Sequence, residues 1–188
     1  MLTIHDYKII LIGDSGVGKT SIINYLINHT KLDDFIPTLG TEYTYKEIEV
    51  DQTKIRLIIW DTGGQNKFRA IVGLYYRQSI GCICVFDVTN RNTFINVNSW
   101  INDYHRTNPT GHILILANKT DQPKYMWQVS SEEINNLEFN YLLTDCIVGT
   151  NIDNSFHQLT QKIIQSSNNN NTSQKLISSS SIKHSCNC

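Results

Sequence analysis

With 188 residues, 40% apolar and 18% charged, the chain is long enough for one ordinary globular domain and a short extension. A net charge of −1 excludes a general attraction to nucleic acid, which requires a concentrated basic surface. No apolar run approaches the ~20 residues that cross a bilayer. The start, MLTIHDYKIILIG, lacks the pattern of a secretory signal, so the five cysteines are expected to be reduced thiols in the cytosol.

The first element is YKIILIG (7–13), a short apolar run fit for a strand buried on both faces. It leads into GDSGVGKT, which fits G-x4-G-K-[ST] through Gly13, Asp14, Ser15, Gly16, Val17, Gly18, Lys19 and Thr20, and the helical pattern SIINYLI follows at once. Glycines there let the backbone wrap until several N–H groups face phosphate oxygens, and the helix N-terminus adds its positive end. Lys19 is placed to reach β- and γ-phosphates, and the Thr20 hydroxyl to bind Mg²⁺. A simple Gly-containing turn is the plain alternative, but strand, loop, Lys-Thr and helix stand in the order that phosphate binding needs.

EYTYKEIEV and KIRLIIW flank Asp51-Gln52-Thr53 and predict a hairpin with one strand near the sheet edge. The second of these strands ends in WDTGGQ (60–65). Asp61 is placed to hold Mg²⁺ through water, Gly64 to offer its N–H to a γ-phosphate, and Gln65 to orient an attacking water. GCICVFDV (81–88) is another buried strand, in which Cys82 and Cys84 read as inert core. Phe94, Val97, Trp100 and Tyr104 recur at helical spacing. HILILAN (112–118) then runs into NKTD (118–121), at a strand end where open α/β sheets bind ligands. A carboxylate at Asp121 accepts from the N1–H and exocyclic amine of guanine, while Asn118 and Lys119 brace the loop and cover the ring. A last helix carries Ile152, Phe156, Leu159 and Ile163. From Ser166 the final 23 residues include eight Ser and five Asn, so a domain of 1–165 is expected, with a disordered tail over 166–188. Alternation of strands and helices predicts an α/β fold, a mostly parallel sheet with helices on both faces.

Taken together, GDSGVGKT, PTLG, WDTGGQ, YYR, FDVTNRNTF and NKTD resemble the Ras superfamily of small GTPases, and within it the Rab family, over about residues 7–165. The resemblance implies a P-loop small G domain whose six-stranded sheet has one antiparallel strand. It also implies GTP and GDP as ligands, Mg²⁺ as cofactor, and slow hydrolysis that needs an activating protein. In this family the threonine matching Thr38 coordinates Mg²⁺ and touches the γ-phosphate. The matching effector region comprises Phe35, Ile36, Pro37, Thr38, Leu39, Gly40, Thr41, Glu42 and Tyr43, with Trp60 and Tyr75 completing three grouped aromatics. Cys186 and Cys188 match the family's C-terminal Cys-x-Cys, which carries geranylgeranyl groups. Two anchors are required because a single chain holds only marginally, and Lys175, Lys183 and His184 add little basic charge. The implied life is that of a monomer cycling between cytosol and the cytoplasmic face of an intracellular membrane. Its implied partners are an exchange factor, an activating protein, a GDP-dissociation inhibitor and effectors.

The pattern is broken in places. Gly63 and Asn66 replace the usual Ala and Glu of the second switch, which should loosen it. Where the family carries Ser-Ala-Lys, this chain has Asp145, Cys146 and Ile147, leaving a backbone N–H at Cys146 to meet the guanine O6. Lys31 stands where an aromatic packs on the base, and the segment from Asp121 to Asp145 is short. These changes predict a weakened base pocket around intact phosphate chemistry. Two other readings compete: a nucleotide-binding scaffold without useful turnover, and an ATP-using P-loop kinase, which NKTD and WDTGGQ disfavour.

Overall fold

The apolar runs of the sequence become neighbouring strands of one sheet. A computed structural model describes residues 5–30, 38, 41–64 and 69–180. In chain order it contains β1 (His5–Ile12), α1 (Lys19–Asn28), β2 (Thr41–Val50), β3 (Thr53–Thr62), α2 (Arg69–Tyr75) and β4 (Gly81–Asp87). Then come α3 (Arg91–Ile95), α4 (Val97–Thr107), β5 (His112–Asn118), α5 (Ser131–Asn135), β6 (Tyr141–Leu143) and α6 (Ile152–Ser180). The strand order is β2-β3-β1-β4-β5-β6. Only β2 and β3 pair antiparallel, and the other neighbours are parallel. This is the mostly parallel six-stranded sheet with one antiparallel strand that the resemblance implies.

The near-continuous apolar sequence of β1 follows from its position between β3 and β4, with helices over both faces. Ile9 and Leu11 point to one core, with Ile22 and Leu26 of α1 and Phe156 and Leu159 of α6. Ile10 and Ile12 point to the other, with Trp100, Ile101 and Tyr104 of α4. Each fully buried aliphatic side chain contributes roughly 1.5–3 kcal/mol, so a strand that feeds two cores is held more firmly than one with a wet face. The hairpin turns through Asp51 and Gln52, both with positive φ (49° and 63°), the signature of a tight two-residue connection.

Two elements depart from expectation. The helix read through Phe94 and Tyr104 is two helices, broken at Asn96, which caps the end of α3 and the start of α4. At the other end, α6 continues to Ser180, so the stretch expected to lack regular structure from Ser166 is helical that far. Among the residues with described side chains, the last of α6 to join the core are Ile163 and Ile164. Beyond that point each added residue needs only one further backbone bond, because the packed turns have already nucleated the helix. The shortness between Asp121 and Asp145 is absorbed by a single turn at Lys124–Met126 and a five-residue α5 closed by a Ser130–Glu133 capping box. No helix among the described residues is long and apolar enough to cross a membrane.

Candidate active site

The C-terminal ends of the parallel strands open on one edge, and the residues singled out by motif gather there. The loop between β1 and α1 takes three positive φ values, at Gly13, Gly16 and Gly18. Lys19 is buried beneath it, and its Nζ donates to the carbonyls of Gly13 and Asp14, each at 2.8 Å. Burial pushes Lys19 down to about 8, against the opposing pull of Asp61 and Asp14. Ser15, Gly16, Thr20 and Thr38 line the cavity over the loop. Gly64 packs hard against it from β3's end: a Cβ there would lie 2.3 Å from the Asp14 carbonyl carbon and 2.5 Å from the Gly13 oxygen. Only glycine permits that approach.

Asp14 turns its side chain away from the cavity. Its Oδ1 accepts from Trp100 Nε1 and its Oδ2 from the Asn96 amide, both at 2.8 Å. The break between α3 and α4 thus aims Asn96 at the phosphate loop, and sequence reading missed both anchors. Trp100 sits at helical spacing and reads as core; nothing local reveals that its N–H meets a residue 86 positions earlier.

Beside the loop, three oxygen-bearing side chains converge. Thr20 Oγ1 donates to Asp61 Oδ2 at 2.6 Å, and Thr38 Oγ1 lies 2.7 Å from Thr20 Oγ1 and 3.4 Å from Asp61 Oδ2. Asp61 Oδ1 is buried without a hydrogen-bond partner among the described residues. Burial raises the Asp61 carboxyl, while the Thr20 hydroxyl and Lys19 act to lower it. Two hydroxyls and a carboxylate with an unspent oxygen fit a hard divalent cation such as Mg²⁺, which takes few protein ligands and completes its shell with water and phosphate.

A second cavity, about 290 Å³, lies next to the loop and is lined by Gly18, Asn118, Asp121, Gln122, Cys146 and Ile147. Asn118 ties its walls together. Its Nδ2 donates to the Val17 carbonyl at 2.8 Å, and its Oδ1 accepts from Thr144 Oγ1 at 3.1 Å. Lys119 adopts φ 67° and pairs its Nζ with Asp87 Oδ2 at 2.6 Å, so a carboxylate on β4 aims the lysine that covers the pocket. Asp87 was not legible as part of the site. Asp121 is exposed, and one of its oxygens accepts from the Gln122 amide. Cys146 places Sγ 3.7 Å from Asn118 Oδ1, and burial pushes its thiol up to about 11, which keeps it neutral.

At the place of the family's Ser-Ala-Lys loop, Asp145 is buried and accepts from the backbone N–H groups of Ile147 and Val148, at 3.0 and 2.9 Å. Nearby, Tyr43, Trp60 and Tyr75 do form one group: successive ring centroids are 5.2 Å apart, and Tyr43 is 56% exposed. Thr41 and Glu42 precede Tyr43 on β2. Lys31, Phe35, Ile36, Pro37, Leu39, Gly40, Gln65, Asn66, Cys186 and Cys188 lie outside the described residues.

Comparison with known proteins agrees with this geometry. The Ras family profile matches residues 8–165. A probable Rab-related GTPase of Acanthamoeba polyphaga mimivirus is 39% identical, over 84% of this chain and 76% of the relative. The Ras-related protein Rab-8B of Pongo abelii is 37% identical, over 87% of this chain and 82% of the relative. The GTP-binding protein ypt1 of Schizosaccharomyces pombe is 33% identical, over 84% and 79%. With a phosphate loop, a three-oxygen corner and a second cavity on one sheet edge, and this match along most of its length, the chain belongs to the Ras family as a small GTPase of the Rab group.

Proposed function

We propose that this protein is a guanine-nucleotide switch that hydrolyses GTP slowly and, held at a membrane by two prenyl groups, regulates vesicle traffic. The observation that carries the reading is the convergence of Thr20, Thr38 and Asp61 beside Lys19, at a cavity that shares Gly18 and Ser21 with the one walled by Asn118, Asp121 and Cys146. In this reading the N–H groups of Gly13–Thr20 and the Lys19 ammonium hold the β- and γ-phosphates. Asp121 accepts from guanine N1–H and its amine, and the Cys146 N–H donates to O6. Thr20 and Thr38, with Asp61 through water, would hold Mg²⁺, which would supply charge neutralisation at the phosphates.

Gln65 orients the water that attacks the γ-phosphate, and Gly64 offers its N–H to the charge that develops there. Thr38 stands beside Thr20 and Asp61, so its hydroxyl is in place to meet a γ-phosphate and Mg²⁺ bound there, which would tie effector recognition at residues 35–43 to the nucleotide. Tyr43, Trp60 and Tyr75 form the flat aromatic part of that surface. The domain ends near 165, and the tail carries Cys186 and Cys188 to the cytoplasmic face of an intracellular membrane. Cycling through the cytosol then needs a GDP-dissociation inhibitor, and the switch itself an exchange factor and an activating protein. The protein acts as a monomer and does not engage nucleic acid.

Two measurements test this. The nucleotide that copurifies should be GDP or GTP, and ADP or ATP there would refute the base assignment. Single-turnover assays should show slow GTP cleavage; bound GTP that never turns over would establish the scaffold reading in its place.

A further inference from the structure

Resting on the guanine assignment just made, we propose that Asp145 is the positioning residue of the base loop, its carboxylate folding residues 145–148 into the turn that presents the Cys146 N–H and so replacing the bracing of a Ser-Ala-Lys loop.

Asp145 as a residue is only 4% exposed, yet its carboxylate is well supplied with donors. Oδ1 accepts from the N–H groups of Ile147 and Val148 at 3.0 and 2.9 Å. Burial alone would raise this carboxyl, but bonds from the Thr150 side chain and from the Val148, Ile147 and Gly149 N–H groups outweigh it. The group therefore stays ionised, as an acceptor of several N–H bonds should.

The loop is also pinned on both sides of Cys146. Before it, the Thr144 N–H donates to the Ala117 carbonyl at 2.9 Å, and the Thr144 carbonyl accepts from the Thr120 N–H at 3.1 Å. After it, Tyr25 of α1 donates its hydroxyl to the Val148 carbonyl at 2.8 Å. The Tyr25 ring fills the space where a Cβ on Gly149 would come within 2.0 Å. Ile147, at the lysine position, is 48% exposed, and its part in the turn is played by its backbone. Residue 146 is thus fixed by backbone bonds, and the missing Ser and Lys side chains do not leave it loose.

The test combines variants with a base analogue. Release of a fluorescent GDP, and the dissociation constants of GDP and 2-aminopurine riboside diphosphate, are measured for wild type, Asp145→Ala and Asp145→Asn. The analogue lacks O6 and N1–H; the Asp121 share of its penalty is common to all three proteins. Asp145→Ala should release GDP about tenfold faster, and its preference for GDP over the analogue should shrink by a similar factor, because one O6 contact is lost. Asp145→Asn, whose amide oxygen accepts the same two bonds, should stay within about threefold of wild type.

Unchanged release, an undiminished preference in the alanine variant, or an asparagine variant as impaired as alanine would overturn the proposal. A general loss of stability would weaken GDP and the analogue alike. If wild type itself does not prefer GDP, the guanine assignment fails rather than this inference. Should Asp145→Ala not fold, Tyr25→Phe removes only the outer pin; release about threefold faster supports the proposal, and unchanged release overturns it.

Discussion

Replacing Asn118 with Ala removes the side chain that joins the phosphate loop to the base loop. Asn118 is 1% exposed, and besides the weak contact from the Cys146 thiol it serves two buried groups: the Val17 carbonyl at 2.8 Å and the Thr144 hydroxyl at 3.1 Å. Val17 and Thr144 are both wholly buried, so neither group recovers a bond to water. An orphaned buried polar group costs about 1–3 kcal/mol, and the Thr144 hydroxyl can rotate to soften its loss, which gives about 2–4 kcal/mol in total. For a domain of this size that corresponds to a fall in Tm of roughly 4–16 °C. Urea unfolding of the nucleotide-free protein measures the loss without ligand linkage entering the comparison. The midpoint should fall with an unchanged slope. Asn118→Asp, which keeps the acceptor for Thr144 but has no donor for Val17, should do no better than half as well. A loss below about 1 kcal/mol for Asn118→Ala would mean that the two loops hold together without this bridge.

Gln65→Leu should leave GDP affinity intact and suppress single-turnover hydrolysis, since in the proposed mechanism the side chain orients water and takes no part in binding; unchanged turnover would remove Gln65 from the mechanism. Changing both Cys186 and Cys188 to Ser should move the protein from membrane to soluble fractions of cells. The two prenyl chains proposed for these cysteines would supply ~0.8 kcal/mol per buried CH₂, which the few tail lysines cannot match; full retention of the double variant would point to another anchor. Trp100→Phe deletes the donor to Asp14 Oδ1 at 2.8 Å and should cost about 1.5–3 kcal/mol, a bond to a charged acceptor, while speeding GDP release. Unaltered stability and release together would show that the Asn96 bond alone anchors the loop.

Local chemistry was legible in the chain itself. Near-continuous apolar runs at 7–13, 81–88 and 112–118 are readable as buried strands because a strand in a parallel sheet has no wet face. The phosphate loop and NKTD are readable because each needs its residues in consecutive order, within one turn of backbone. Neighbourhood was not legible, since periodicity says which face is apolar and not what covers it. Only the strand order brings Asp61 within 2.6 Å of Thr20 across 41 residues, and only the break at Asn96 swings an amide and an indole onto Asp14 across more than 80. The case of Asp145 is sharpest. Its identity marks a departure from the Ser-Ala-Lys pattern, and a lone carboxylate near a base suggests harm. The fold turns the N–H groups of Ile147, Val148 and Gly149 and the Thr150 side chain toward it, which nothing in the sequence shows, and a buried charge is a burden or a brace according to the donors that surround it.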